Sequence, residues 1–158
     1  MGPEEYEEKS FVTMLGSLHI KLALLRALGD LLDGSGWTSA LVQAEIATAG
    51  TSNSFLKAMR VKKTARAHQI TACALYKLRQ ASYVEWQTCQ PECNAPSFDE
   101  WCEQRAAQSA QFHFWQLVLS TDLDVLAWER SIYEGNFLLH VEALTRLQWL
   151  FYSLDHYN

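Results

Sequence analysis

Between Leu18 and Leu32 the apolar positions fall at Leu18, Leu22, Leu25, Leu28, Leu31 and Leu32. That helical period predicts a first helix with a wide buried stripe. Asp33-Gly34-Ser35-Gly36 ends it, because either glycine tolerates the left-handed backbone of a helix C-terminus. A second helix is predicted from Trp37 to about Ala47, with Trp37, Leu41, Ala44 and Ile46 inward and Gly50 as its stop. Thr51 to Ser54 offers N-cap side chains for a third helix through Phe55, Leu56 and Met59. The longest helix is predicted over Thr64 to Trp86, with Ile70, Cys73, Ala74, Leu78 and Tyr83 on its buried stripe, and Gln87 to Pro96 as a proline-broken loop. Ser97-Phe98-Asp99-Glu100 matches a capping box and marks a further helix start.

Phe112 to Tyr133 and Asn136 to Leu154 are both strongly periodic and are separated only by Glu134-Gly135-Asn136, which predicts an antiparallel helical hairpin. Its apolar load is heavy. Phe112, Phe114, Trp115, Leu119, Leu123, Leu126 and Trp128 lie on one arm, and Phe137, Leu138, Val141, Leu144, Leu147, Trp149 to Phe151 and Leu154 on the other. Trp149, Leu150, Phe151 and Tyr152 are consecutive and wrap around the helix, so some of that surface is expected to meet another segment of the chain, an unknown protein partner or a second copy of the chain. At the other end, Phe11 to Leu15 reads as a strand buried on both faces, and no later segment offers it a partner. The expected fold is mainly α, a helical array with an antiparallel hairpin and one short N-terminal strand. Residues 1–10 form an acidic tail and 11–158 a single domain, the tail end of a larger protein.

The 158 residues, 49% hydrophobic and 20% charged, are enough for one domain with a core. Apolar runs fall short of the ~20 residues of a membrane span. The N-terminus carries Glu4, Glu5, Glu7 and Glu8, unlike a secretory or transit segment. No membrane association is expected, and the location is expected to be intracellular, nucleus or cytoplasm. Cys73, Cys89, Cys93 and Cys102 are too few for a disulfide framework. Cys89, Cys93 and Cys102 with His113 offer zinc-ligand types, but one C-x3-C followed by isolated ligands departs from the paired spacing of zinc modules. Neither a metal nor another cofactor is expected.

No histidine among His19, His68, His113, His140 and His156 sits in a nucleophile elbow or an H-E-x-x-H pair. Asp30 and Asp33 share a helix face, yet a metal nuclease would want a third ligand from a neighbouring strand. No catalytic residues are assigned, and the chain is expected not to be an enzyme. Charge is uneven: Lys57, Arg60, Lys62, Lys63, Arg66, Lys77 and Arg79 occupy residues 57 to 79 without an acidic residue, in a chain of net charge -5. A solvated helix face is the plain reading. The alternative is a nucleic-acid surface made by Lys57, Arg60, Lys62, Lys63 and Arg66.

Several stretches carry a resemblance: FVTMLGSLHI, LGDLLDGSGWTSALVQA, AGTSNSFLKA with ARAHQIT, FDEWCEQRAAQS with FHFW, and YEGNF leading to FYSLDHYN. Over nearly its whole length the chain resembles uncharacterised transposon-derived animal proteins, whose corresponding region is similar to the C-terminal part of a ribonuclease-H-like transposase with a helical insertion. The resemblance implies that Phe11 to Leu15 is a remnant core strand, that Leu18-His19-Ile20 opens the following helix, and that Gly34 to Trp37 is the turn into the helical region. Lys21 stands where the family carries an acidic residue. The carboxylates that hold two metal ions in such transposases come from strands not evident here, so the resemblance implies a non-catalytic interaction or scaffold module.

Overall fold

The computed structural model describes residues 16–89 and 96–153. Within them the chain forms seven helices: α1 (Ser17–Leu32), α2 (Trp37–Gln43), α3 (Ala49–Leu56), α4 (Val61–Cys89), α5 (Phe98–Gln108), α6 (Ala110–Glu134) and α7 (Phe137–Ser153). The mainly helical expectation holds for these residues, and none of them is in a strand. The expected strand at Phe11 to Leu15 and the acidic tail lie outside the described residues, as do Cys93 and Leu154.

α6 and α7 pack as the expected antiparallel hairpin, and α1 lies against them. Leu24, Ala27 and Leu28 of α1 meet Val125 and Trp128 of α6 and Ala143, Leu147 and Leu150 of α7 in one buried cluster. Each fully buried Leu here contributes roughly 1.5–3 kcal/mol. The hairpin turn is made by Gly135 at φ 63°, which lets the Asn136 N–H reach back to the Ser131 carbonyl. Asn136 then turns its side chain to accept from the Leu139 N–H at the start of α7.

A second cluster joins the rest: Leu32, Trp37, Leu41, Phe55, Ala67 and Val118. α1 and α3 touch backbone to backbone at Gly29, where a β-carbon would stand 1.9 Å from the Leu56 carbonyl oxygen. Only glycine permits that approach.

Three sequence expectations are corrected. α2 ends at Gln43, because Glu45 at φ 55° closes it, and Gly50 lies inside α3 rather than stopping a helix. α3 is preceded by Thr48, so Thr51 to Ser54 are helical and not caps. α4 starts earlier and ends later than predicted, and its buried stripe is Thr64, Ala65, Ala67, His68, Thr71 and Ala72, whereas Cys73, Ala74 and Leu78 are exposed. Small side chains there bring α4 close to α6. The capping box at α5 is formed as predicted, with the Ser97 Oγ accepting from the Glu100 N–H and the Glu100 carboxylate accepting from the Ser97 N–H.

Candidate functional site

Three cavities among the described residues lie along α4. At its first turns a cavity of about 480 Å³ is floored by Phe55, Ala67 and Ile70 and rimmed by Lys62, Lys63 and Arg66. Next to it, and sharing Ile46 and Ile70, a cavity of about 330 Å³ is lined by Trp37, Leu41, Ala44, Ala74, Leu75, Leu78 and Trp115. A third, about 340 Å³, shares Leu75, Leu78 and Trp115 and ends at Arg79, Ser82, Gln111 and Gln116. The shared residues make the three neighbours, a row of openings along α4 that together form a trough. Its α4 wall follows the i, i+4 rows from Lys62 to Ser82, a span of roughly 30 Å at 1.5 Å per residue.

The local sequence explains why this trough stays open. α2 is short and its C-terminal turn swings Ile46 outward, so Ile46 is 38% exposed and Leu78 64% exposed. The middle of the floor is apolar apart from Thr71, whose hydroxyl is already engaged: it accepts from Trp37 Nε1 at 2.8 Å and donates to the Ala67 carbonyl at 2.9 Å. Neither end carries a compensating acid. Lys57, Arg60, Lys62, Lys63 and Arg66 are all exposed and none forms an ion pair among the described residues; Arg66 donates only to Gln69. Of the five residues proposed for nucleic acid, the structure brings Lys62, Lys63 and Arg66 to one rim, while Lys57 and Arg60 lie in the turn before α4. At the far end Arg79 lies over the Phe98 ring, 5.0 Å from its centre, and also has no carboxylate partner among the described residues.

Beneath the trough lies a pair that the sequence reading did not single out. His68 Nδ1 is 2.9 Å from Asp122 Oδ1, and the side chains are 5% and 1% exposed. Trp37 stacks on the imidazole at 4.8 Å between ring centres. Burial pushes the Asp122 carboxyl above its ordinary value, against the pull of His68. The two residues are 54 apart in the chain, so no local pattern could have paired them. Neither lines the trough. They tie α4 to α6.

The other candidates fall apart spatially. Leu150 is fully buried in the α1–α6–α7 cluster, which corrects its assignment to a partner surface; Trp149 and Phe151 are half-buried against that cluster, and Tyr152 is 63% exposed. A group of exposed apolar side chains lies instead at the hairpin turn, where Tyr133, Phe137, Leu138 and Val141 are 87%, 55%, 80% and 46% exposed. Cys102 is buried beside Trp101 and burial raises its thiol pKa, while Cys89 and His113 are exposed. No group of three metal-ligating side chains occurs among the described residues. Asp30 and Asp33 are exposed at the end of α1. No described helix is long and apolar enough to cross a membrane.

Comparison with known protein families, with curated proteins and with solved structures found no match to this chain.

Proposed function

We propose that this chain is a non-catalytic, intracellular, transposon-derived interaction module that receives a helix from a protein partner in the trough along α4. The observation that carries the reading is the continuity of the apolar floor from Ile46 and Ile70 to Leu78 and Trp115. A bound segment has to be helical. The only side-chain hydroxyl in the middle of the floor is already bonded, so an extended peptide would leave N–H and C=O groups facing hydrocarbon, whereas a helix satisfies its own. The transposon origin rests on the sequence stretches alone. Support for a non-catalytic role comes from the burial of His68 and Asp122, which keeps that pair out of the trough lining.

Selection from a displayed library of 20-residue helical peptides tests the docking reading. Peptides enriched on the wild type should lose binding to Leu78→Asp, a change at an exposed position that leaves the fold intact. If enriched peptides bind Leu78→Asp equally well, the trough is not the docking surface.

The nucleic-acid reading draws on one observation, the grouping of Lys62, Lys63 and Arg66 without acids. It competes with the chain's net charge of -5 and with the apolar lining from Ile70 to Leu78 and Trp115; beside the cations, Thr48 and Thr51 add hydroxyls. Titration with arbitrary duplex DNA at low ionic strength is expected to show no binding.

A further inference from the structure

Resting on that docking reading, we propose that the partner helix is acidic at the end that lies over the N-terminus of α4, where carboxylates meet Lys62, Lys63 and Arg66. Its apolar stripe then covers Ile70, Leu78 and Trp115.

Three features lead to this chemistry. Lys62 and Arg66 are one helical turn apart on α4, and Lys63 stands beside them, so three cations line one rim within a single turn and a half. They sit in the first turns of a 29-residue helix with no acidic residue in its first turn. There the positive end of the helix dipole disfavours cations, so the three charges repel both one another and the helix end. Arranged this way they lower the stability of the free protein, and an anionic guest relieves the repulsion. The third feature is position. The rim opens directly onto the apolar floor through Ile46 and Ile70, so one ligand touches both.

A nucleic acid matches the rim and not the floor. A neutral leucine-rich helix matches the floor and leaves three cations partly desolvated against it. An amphipathic helix with two or three Asp or Glu residues at one end and Leu, Ile or Phe at i, i+4 spacing beyond them matches both. The trough length of roughly 30 Å corresponds to about 20 helical residues.

The test measures fluorescence polarisation of three labelled 20-residue helical peptides that share one apolar stripe and carry glutamate, glutamine or lysine at one end. Each is titrated with the full chain at about 50 and 300 mM salt. The glutamate peptide should bind at least tenfold more tightly than the glutamine peptide at low salt, and that advantage should shrink at high salt. The triple variant K62E/K63E/R66E should reverse the order, favouring the lysine peptide, which a merely misfolded variant would not do. Leu78→Asp should weaken all three. Equal binding of all three peptides, with loss on Leu78→Asp, overturns the acidic-partner inference and keeps the docking reading. Peptide binding that ignores Leu78→Asp overturns both. Duplex DNA binding lost in the triple variant but kept in Leu78→Asp assigns the rim to phosphates and overturns the inference. Self-association of the chain that Leu78→Asp abolishes assigns the trough to a second copy and does the same.

Discussion

At the scale of single residues, two helix ends use a conformation that their side chains oppose. α2 closes with Glu45 at φ 55°, its N–H bonded to the Val42 carbonyl and the Ile46 N–H to the Leu41 carbonyl. α3 closes in the same way at Ala58, φ 50°, through the Ala58 and Met59 N–H groups. The hairpin turn has glycine at the matching place, so the first two ends bear a strain that the third avoids. Glu45 is exposed, and replacing it with glycine should raise stability by about 0.5–1 kcal/mol, read as a higher denaturation midpoint with an unchanged slope. Gly29→Ala should do the opposite. A β-carbon 1.9 Å from the Leu56 backbone forces α1 and α3 apart, so a loss of about 3 kcal/mol is expected in chemical denaturation.

At the scale of elements, α4 decides both how the helices are joined and how far sequence reasoning could reach. The end of α1, the start of α5 and the α6–α7 turn were legible, because Gly34, the Ser97–Glu100 box and Gly135 each have a local physical cause; the break between α5 and α6, capped by Ser109, was not. The buried face of α4 was not. Its pattern offers Ile70, Cys73 and Leu78, but the chain buries His68 and Thr71 instead, because Asp122 bonds the first while Trp37 stacks on it and donates to the second. Asp122 and Trp37 lie 54 and 34 residues along the chain from the side chains they bond, and that distance hides them from any local pattern. The trough follows from the same inversion: the larger apolar residues that periodicity assigns to the core stay outside and line it.

The α4–α6 link also makes a pH prediction. A carboxyl whose pKa is raised holds its proton more tightly folded than unfolded. The stability it contributes is therefore complete below the ordinary value of 3.8 and falls as pH rises through the higher folded value. Relative to Asp122→Asn, the wild type should lose stability as pH is raised from below 3.8 towards neutrality. Parallel melting curves for both proteins across that range check it, and a stability difference that does not change with pH would contradict it.

For the whole molecule, the two sticky surfaces are spatially distinct. The α6–α7 turn exposes Tyr133, Phe137, Leu138 and Val141 together, a patch of the kind that drives association of otherwise soluble helical proteins. Light scattering should show concentration-dependent self-association that the double change Tyr133→Lys and Leu138→Lys removes while helix docking in the trough survives. If that variant associates as strongly as the wild type, the hairpin tip is not responsible.

The helix that walls the trough is also unevenly held. Every buried residue of α4 lies between Thr64 and Ala72, and the four turns that follow are gripped chiefly by the ring cluster of Tyr83, Trp86, Phe98 and Trp101. Amide protons should therefore exchange slowly around His68 and progressively faster toward Cys89, opening together with α5 as one cooperative unit before the rest of the molecule unfolds. A guest helix lying across that boundary would splice the loosely held half onto the firm one, and would register as slowed exchange far from any residue it touches.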